Sequence, residues 1–548
     1  MPSINQFSFS GGMNSFLDDL SLGENEYVKL FNGRIRNGVV ANKKATLVEA
    51  PGGKKQGLYA AGNIILLFLD GFAYYKLIGI STDWTFIEGF QMDSEVEFIY
   101  GDFLPVASRN YKRLSTTDNV NADIKLAISS STGSPACFLA QDGINQPFII
   151  QSDGSARVAQ KYSQWTTNIQ EYVPIGKQTV FINGKTYVVA VDGKSIYHSV
   201  SGDPLNFVVN IESDGDKGGD AETTSFAVDF NIITAISKLN SNSFLIGNSR
   251  FVYLITPDYS QERKVFGEPT FVQQPIEVGV MNQRSVATSI NGDAVLIDAD
   301  GLKSLNAVSQ LENEGNNSIF SSYASKFFDD GITRIYQTEN YSASVVFDNY
   351  VLFAVNSIFG YGILVYDTVL EKFVSFDQPL DKPIKQFAQT FDGNNRHLYA
   401  ITEDELYELY SSDEYEYVVL QTRSFSNIQQ DKQSKIGDHK TELIQALFTT
   451  TDEDAKDISV ITLVDGSRTE EGITKTIDPM DGGIYTFGIP VLNPTANISQ
   501  RLTFVPGSPI SGTKLSYVFY WNNKSTLNYF QAISTSVDTQ QSLQQMSL

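Results

Sequence analysis

Short apolar runs, rich in aromatic and β-branched side chains, alternate along this chain with tight polar corners. Phe68-Leu69-Asp70-Gly71-Phe72 has this form, as do Phe138-Leu139-Ala140-Gln141-Asp142-Gly143 and Thr179-Val180-Phe181-Ile182-Asn183-Gly184. The phrase returns at Val191-Asp192-Gly193, at Val295-Leu296-Ile297-Asp298-Ala299-Asp300-Gly301, and more loosely at Phe391-Asp392-Gly393. Asp-Gly and Asn-Gly suit a two-residue turn with positive φ at both positions, and the twist of that turn matches the flanking strands. The pattern therefore predicts serial hairpins and a mainly β chain. Between residues 56 and 415 the corners fall near 71, 143, 193, 247, 301, 357 and 393. Repeats of known propellers run about 40–50 residues per blade, so this uneven spacing predicts an irregular β-propeller carrying insertions.

The flanks read differently. Residues 1–55 predict an N-terminal arm and first strands, with Asn32-Gly33 and Asn37-Gly38 as consecutive tight turns and Pro51-Gly52-Gly53 as a break. Residues 416–530 open on a polar stretch and then show strand-like runs at 442–449, 458–464, 484–490, 501–505 and 516–521. They predict a C-terminal antiparallel β-sandwich-like domain. Residues 531–548 are rich in Gln and Ser and read as a polar tail. Two helical interruptions are expected. One is capped by Ser318, with Ile319, Tyr323 and Phe327 on a stripe and Gly331 as its stop; the other covers 156–171.

Composition narrows the class of function. Of 548 residues, 41% are apolar and 12% aromatic, enough to bury sizeable cores. The 63 acidic against 40 basic residues leave a net charge of −23. That argues against a surface that grips nucleic acid, which needs clustered Lys and Arg, and against adhesion to anionic membranes. A single cysteine, Cys137, excludes an intrachain disulfide framework, and its apolar surroundings suit a buried thiol. The start, MPSINQFSFSGG, lacks the basic-then-apolar order of a secretory signal. The longest apolar run, 64–69, is far short of the ~20 residues that span a bilayer. The expectation is a chain made in a cytoplasm, with no membrane insertion.

Candidate chemistry is sparse. His198, His397 and His439 are far apart in sequence, and no HxxH, HExxH or HxH pair occurs. The close-set carboxylates Asp214, Asp216 and Asp220 could attract Ca²⁺, but the Glu that completes an EF-hand loop is missing, and a solvated Gly-rich loop is the simpler reading. Asp298-Ala299-Asp300-Gly301 fits a hairpin better than a metal loop, and Asp452-Glu453-Asp454 is an exposed charge run. No phosphate-cradling GxxxxGK[ST] or GxGxxG is present. No catalytic, cofactor-binding or metal-binding residues are assigned, and no cofactor is expected. The nearest approach to the sialidase-type turn, Ser81-Thr82-Asp83-Trp84-Thr85-Phe86, lacks its glycine.

Two stretches carry a resemblance. Phe9-Ser10-Gly11-Gly12-Met13-Asn14, followed by residues 26–38 (EYVKLFNGRIRNG), resembles the start of tail hub and nozzle proteins of short-tailed bacteriophages. Val278-Gly279-Val280-Met281-Asn282-Gln283-Arg284-Ser285-Val286-Ala287, continuing to Leu302, is similar to a Gly…Arg-Ser-Val…Asp-Gly passage inside their propellers. Where that family often has Arg-Pro-Gly, this chain has Ala41-Asn42-Lys43-Lys44-Ala45. The resemblance implies a virion protein assembled in the host cytoplasm as a homo-oligomeric, hexameric ring of the tail. It would sit below the portal and adaptor proteins, with DNA passing through without sequence-specific binding. An acidic or neutral wall would suit such a conduit, because phosphate–Lys/Arg contacts would stall sliding. Two rivals remain: a receptor- or glycan-binding propeller with Trp84, Trp165 or Trp521 as stacking platforms, and a propeller glycosidase working through paired carboxylates.

Overall fold

In the computed structural model the described residues are 3–104, 137–158, 173–199, 225–256, 275–305, 343–425, 438–477 and 498–537, with short interruptions, plus the isolated positions 204 and 207. They are almost entirely β, with one 3-10 turn at Gln283–Ser285. The expected helix after Ser318 lies outside the described residues, as do Trp165 and Asp214 to Asp220. Of the second expected helix, Ala156–Val158 is a strand, held antiparallel against Phe148–Gln151; the rest is outside the described residues.

Antiparallel groups of three or four strands follow one another in chain order, and we number them as sheets 1–7. Sheet 1 comprises Lys55–Ala61, Ile64–Leu69, Phe72–Leu77 and Thr85–Phe86. Sheets 2, 3, 4 and 5 open with Tyr100–Leu104, Gly176–Ile182, Ile233–Lys238 and Val286–Thr288. Sheet 6 opens with Ala343–Phe347 and ends with Lys372–Asp377, and sheet 7 comprises Gln386–Phe391, Arg396–Ile401 and Leu406–Leu409. The corners behave largely as their residues dictate. Asp70 and Gly71 take φ of 46° and 82°, as a tight hairpin requires. Gly247 differs from expectation. It lies inside the strand Phe244–Asn248, where an added Cβ would meet the Val280 side chain at 2.5 Å. The corner follows it, with Asn248 Oδ1 accepting from the Arg250 and Phe251 amides.

Alternating side chains place an apolar face on both sides of these sheets, and each face is covered by the next sheet. Phe68 and Leu66 pack with Phe138 and Ile150, joining sheets 1 and 2. Leu139 and Ile149 meet Val188, and Tyr187 and Val189 meet Phe244 and Ile246. Leu245 and Val252 then meet Leu296, and Leu352 and Val365 meet Leu398 and Ala400. Finally Leu58, Ile65 and Leu67 of sheet 1 pack with Ala388, Tyr399 and Ile401 of sheet 7. Sheet 7 gains a fourth strand from far upstream: Thr46–Leu47 pairs with Glu408 and Tyr407.

The two ends of the chain build a second body together. Asp438–Thr450 pairs with Ile498–Phe504 on one side and with Ser525–Val537 on the other. The opposing layer contains Val418–Thr422, Leu515–Trp521 and Lys456–Val464. Ile444, Phe448, Phe504 and Phe530 of one layer share a core with Leu420, Val460, Phe519 and Trp521 of the other. The N-terminal segment is woven through both layers. Ser3–Gln6 and Val39–Ala41 pair with Ser525–Val537, while Glu26–Phe31 pairs with Val418–Thr422 and touches Lys372–Asp377. Sheet 6 and one sandwich layer are thereby one eleven-stranded sheet. Ser525–Val537 reaches into the stretch read as a polar tail. Its polar residues are strand because the backbone is hydrogen-bonded to Asp438–Thr450 out to Val537, and to Ser3–Gln6 as far as Ile533.

Candidate functional site

The opening strands of six sheets converge on one small cavity of about 180 Å³, lined by Tyr59, Tyr100, Thr179, Val286, Ala343 and Gln386 together with Gln283 and Arg284. Arg284 comes from the 3-10 turn, which Asn282 caps through its side chain. Gln283 fixes the turn by accepting from the Ile236 amide at 2.8 Å and donating to the Ile236 carbonyl at 2.6 Å. The Arg284 guanidinium lies 3.4 Å from the centroid of the Phe98 ring and donates to the Lys385 carbonyl at 3.0 Å. Burial among these rings lowers its pKa.

Beside this turn lies an ion-pair network. The Lys385 side chain is fully buried and bonds to Glu97 at 2.8 Å and to Glu403. Glu97 also holds Lys54 at 2.8 Å. Partial burial alone would raise the Glu97 pKa, but the hydrogen bonds from Lys385 and Lys54 outweigh it and bring the net value below the usual range.

A larger opening lies at the seam between the sandwich and sheets 6 and 7. A cleft of about 800 Å³ is lined by Arg34, Arg36, Asn42, Lys43 and Lys524, with Asp348, Tyr350 and Tyr410. A second opening of about 970 Å³ shares Arg36, Asn37, Asp348, Tyr350 and Asn528 with it, so the two are one groove. On its floor Arg34 bonds Asp377 at 2.5 Å and the Ser375 hydroxyl at 2.9 Å, between the rings of Tyr350 and Tyr410. Burial would lower the Arg34 pKa, yet Asp377 beside it drives the net value upward. Tyr410 donates at 2.7 Å to the same Asp377 oxygen, Oδ2, that Arg34 contacts.

Among the described residues, the remaining sequence candidates are dispersed through the fold. His198 is buried beside Tyr187, and His439 lies in the strand Asp438–Thr450. Cys137 is buried, Asp298 pairs with Lys303 at 2.7 Å, and no group of three metal-ligating side chains occurs among the described residues. Trp521 is a core residue whose indole donates to the Ser525 carbonyl at 3.0 Å, and Trp84 donates to the Glu49 carbonyl at 3.0 Å.

His397 has a clearer task at the junction of sheets 7 and 1. Its Nδ1 lies 2.7 Å from Glu408 and its Nε2 3.1 Å from Asp392. Beside that Asp392 corner the Phe391 amide donates to the Gly62 carbonyl of sheet 1 at 2.9 Å. Burial would lower the imidazole pKa, but the two carboxylates raise it overall above its ordinary 6.5. Folding therefore favours the protonated ring. Its contribution to stability is expected to be complete below pH 6.5 and to vanish as pH rises through the raised value. Urea midpoints across roughly pH 5–8 should show this slope in the native chain and a flatter one in His397→Gln.

Sequence reasoning named Arg284, Arg34 and Asn42 only as parts of longer phrases, and it passed over Lys385. A retrospective signal exists for Lys385, a cation set between Ile384 and the strand-like run Gln386–Phe391. No family model and no curated protein matches this chain. Among solved structures it is similar to a chain of "Crystal Structure of Mitotic Checkpoint Complex", with 8% identity and a TM-score of 0.39, covering 68% of this chain and 92% of that one. A likeness of that degree carries no conclusion about binding or activity.

Proposed function

We propose that this chain is a structural subunit of a short phage tail, a hub or nozzle whose copies form a ring through which the genome leaves the virion. In this reading sheets 1–7 are the blades of one irregular propeller. Thr46–Leu47 completes the last blade and so ties the two ends of the ring of sheets together.

The observation that carries the reading is where the two resembling stretches sit. Residues 9–38 form the stitch between sandwich and sheet 6, and residues 278–302 carry the Arg284 plug where the opening strands converge. Both phrases have structural work of their own. At Gly12, φ is +80° and an added Cβ would meet Lys372 Cβ at 2.6 Å; at Gly279 it would meet the Ser249 carbonyl at 2.4 Å. The plug also argues where a conduit would run. Arg284, Phe98 and the Lys385 network fill the centre of the single chain, so a passage for DNA lies between copies and not within one. With −23 charges per protomer, carboxylates facing such a passage would repel phosphate and let DNA slide. The portal and adaptor partners follow from the resemblance alone.

The burial of Trp521 removes one stacking platform from the glycan-binding rival. Negative-stain imaging of the purified chain tests the proposal. Rings with an open centre are the expected result, and discrete monomers at every concentration would overturn it.

A further inference from the structure

We propose that Asn37 is a site of self-modification: the Gly38 amide nitrogen closes on the Asn37 side chain, and the succinimide so formed opens in water to isoaspartate or aspartate. This chemistry needs only one folded copy and stands whether or not copies form a ring.

Asn-Gly pairs begin at Asn32, Asn37, Asn183 and Asn291, and in each the glycine leaves the attacking nitrogen unshielded by a side chain. Asn183 and Asn291 lie outside the described residues, so two pairs can be compared. Their asparagines share a left-handed backbone, with φ of 54° at Asn32 and 51° at Asn37. Neither sequence nor local conformation separates them. Tertiary contacts do.

Asn32 is held at both ends of its side chain. Its Oδ1 accepts from the Gln378 amide at 2.7 Å, and its Nδ2 donates to the Tyr417 carbonyl at 3.0 Å. The glycine after it is buried in the strand Gly33–Ile35, where an added Cβ would meet Leu30 Cδ1 at 2.9 Å. Ring closure at Asn32 has to break both hydrogen bonds inside packed structure. Asn37 is exposed in the turn joining Gly33–Ile35 to Val39–Ala41, and its side chain makes no hydrogen bond among the described residues. The Gly38 amide donates none there either, although the Gly38 carbonyl accepts from the Arg36 amide at 2.7 Å. Asn37 also lines both openings of the seam groove, which leaves room for the ring and for the water that opens it.

The step balances with water as its only co-reactant. The Gly38 nitrogen gives up its proton and bonds to Asn37 Cγ, and the side-chain nitrogen leaves as ammonia. Water adding at Cγ breaks the new bond and gives aspartate. Water adding at the Asn37 backbone carbonyl breaks the original peptide bond and gives isoaspartate, whose main chain is one methylene longer. Either product carries a new negative charge.

The longer link falls where the chain has no slack. Gly38 has φ of +139°, and an added Cβ would meet the Leu527 carbonyl at 2.6 Å and Thr526 Cγ2 at 2.7 Å. The next residues, Val39 and Val40, pair with Leu527 and Thr526, and Val39 is fully buried. Isoaspartate therefore pushes this hairpin off the strand Ser525–Val537, whereas aspartate leaves it in place.

Incubating the folded chain in mildly alkaline buffer tests this, with peptide mapping by mass spectrometry following the gain of about 1 Da at each asparagine. Isoaspartyl and aspartyl peptides are told apart by retention. While the chain is folded, Asn37 should convert at least about tenfold faster than Asn32, and in urea the two rates should come together. An Asn37 that stays an amide, or one that converts no faster than Asn32 in the folded chain, would overturn the assignment. Asn37→Asp supplies the product of normal chain length: it should melt as the native chain does, while the aged isoaspartyl fraction melts lower. If that fraction melts together with Asn37→Asp, the hairpin has slack and its displacement is wrong.

Discussion

Replacing Arg34 with methionine is expected to destabilise the fold by about 3–5 kcal/mol, because it leaves a carboxylate stranded in the interior. Asp377 is 1% exposed and Arg34 8%, so water cannot take the place of either partner. After the substitution Asp377 would keep the hydroxyls of Ser375 at 2.9 Å and Tyr410 at 2.7 Å, which hydrogen-bond a carboxylate but do not balance its charge. Asp377→Asn should cost a comparable amount by stranding the guanidinium. The double variant Arg34→Met, Asp377→Leu should lose much less than the sum of the two single losses, because an apolar pair leaves no charge behind. Denaturant unfolding of the four proteins measures this coupling. Additive losses would mean that the two buried charges do not depend on one another for their stability. The effect should be global, since Arg34 belongs to the strand Gly33–Ile35 and Asp377 to the last strand of sheet 6.

The second large effect is asymmetric. Removing both carboxylates that face Lys385, as Glu97→Gln with Glu403→Gln, is expected to cost about 3–5 kcal/mol, whereas Lys385→Met should cost about 1 kcal/mol. The reason is burial. The Lys385 side chain is 0% exposed, but Glu97 and Glu403 are 35% and 44% exposed. Carboxylates that lose their lysine turn to water, and Glu97 keeps Lys54 besides. An ammonium that loses both carboxylates has no water to turn to. Equal losses in the two experiments would show that the lysine is hydrated in the folded chain.

How much of this was legible beforehand depends on the range of the interactions involved. Asp70-Gly71 is a hairpin because only residues tolerant of positive φ close so short a turn, a property of two adjacent residues. Gly247 looks the same in sequence and is a strand residue, since its glycine answers the side chain of Val280 and not a turn. Ser534 to Val537 read as a tail because their side chains are polar, yet their backbone lies in a sheet whose pairing partners, Asp438 to Thr441, are nearly a hundred residues upstream. A polar strand held by backbone pairing has no signature in hydropathy, because the backbone and not the side chains supplies its contacts.

The amino-acid sequence by itself determined the β class, the apolar runs, most hairpin corners and the shortage of catalytic side chains. Each of these follows from neighbouring residues and their steric or polar preferences. Tertiary structure alone decided that the first strands are shared among sandwich, sheet 6 and sheet 7, that Arg284 lines the cavity where six opening strands meet, and that Arg34 meets Asp377 in the interior. Those facts join residues hundreds of positions apart. They arise because a buried charge or donor must find its partner in space, and local pattern carries no record of which partner that is.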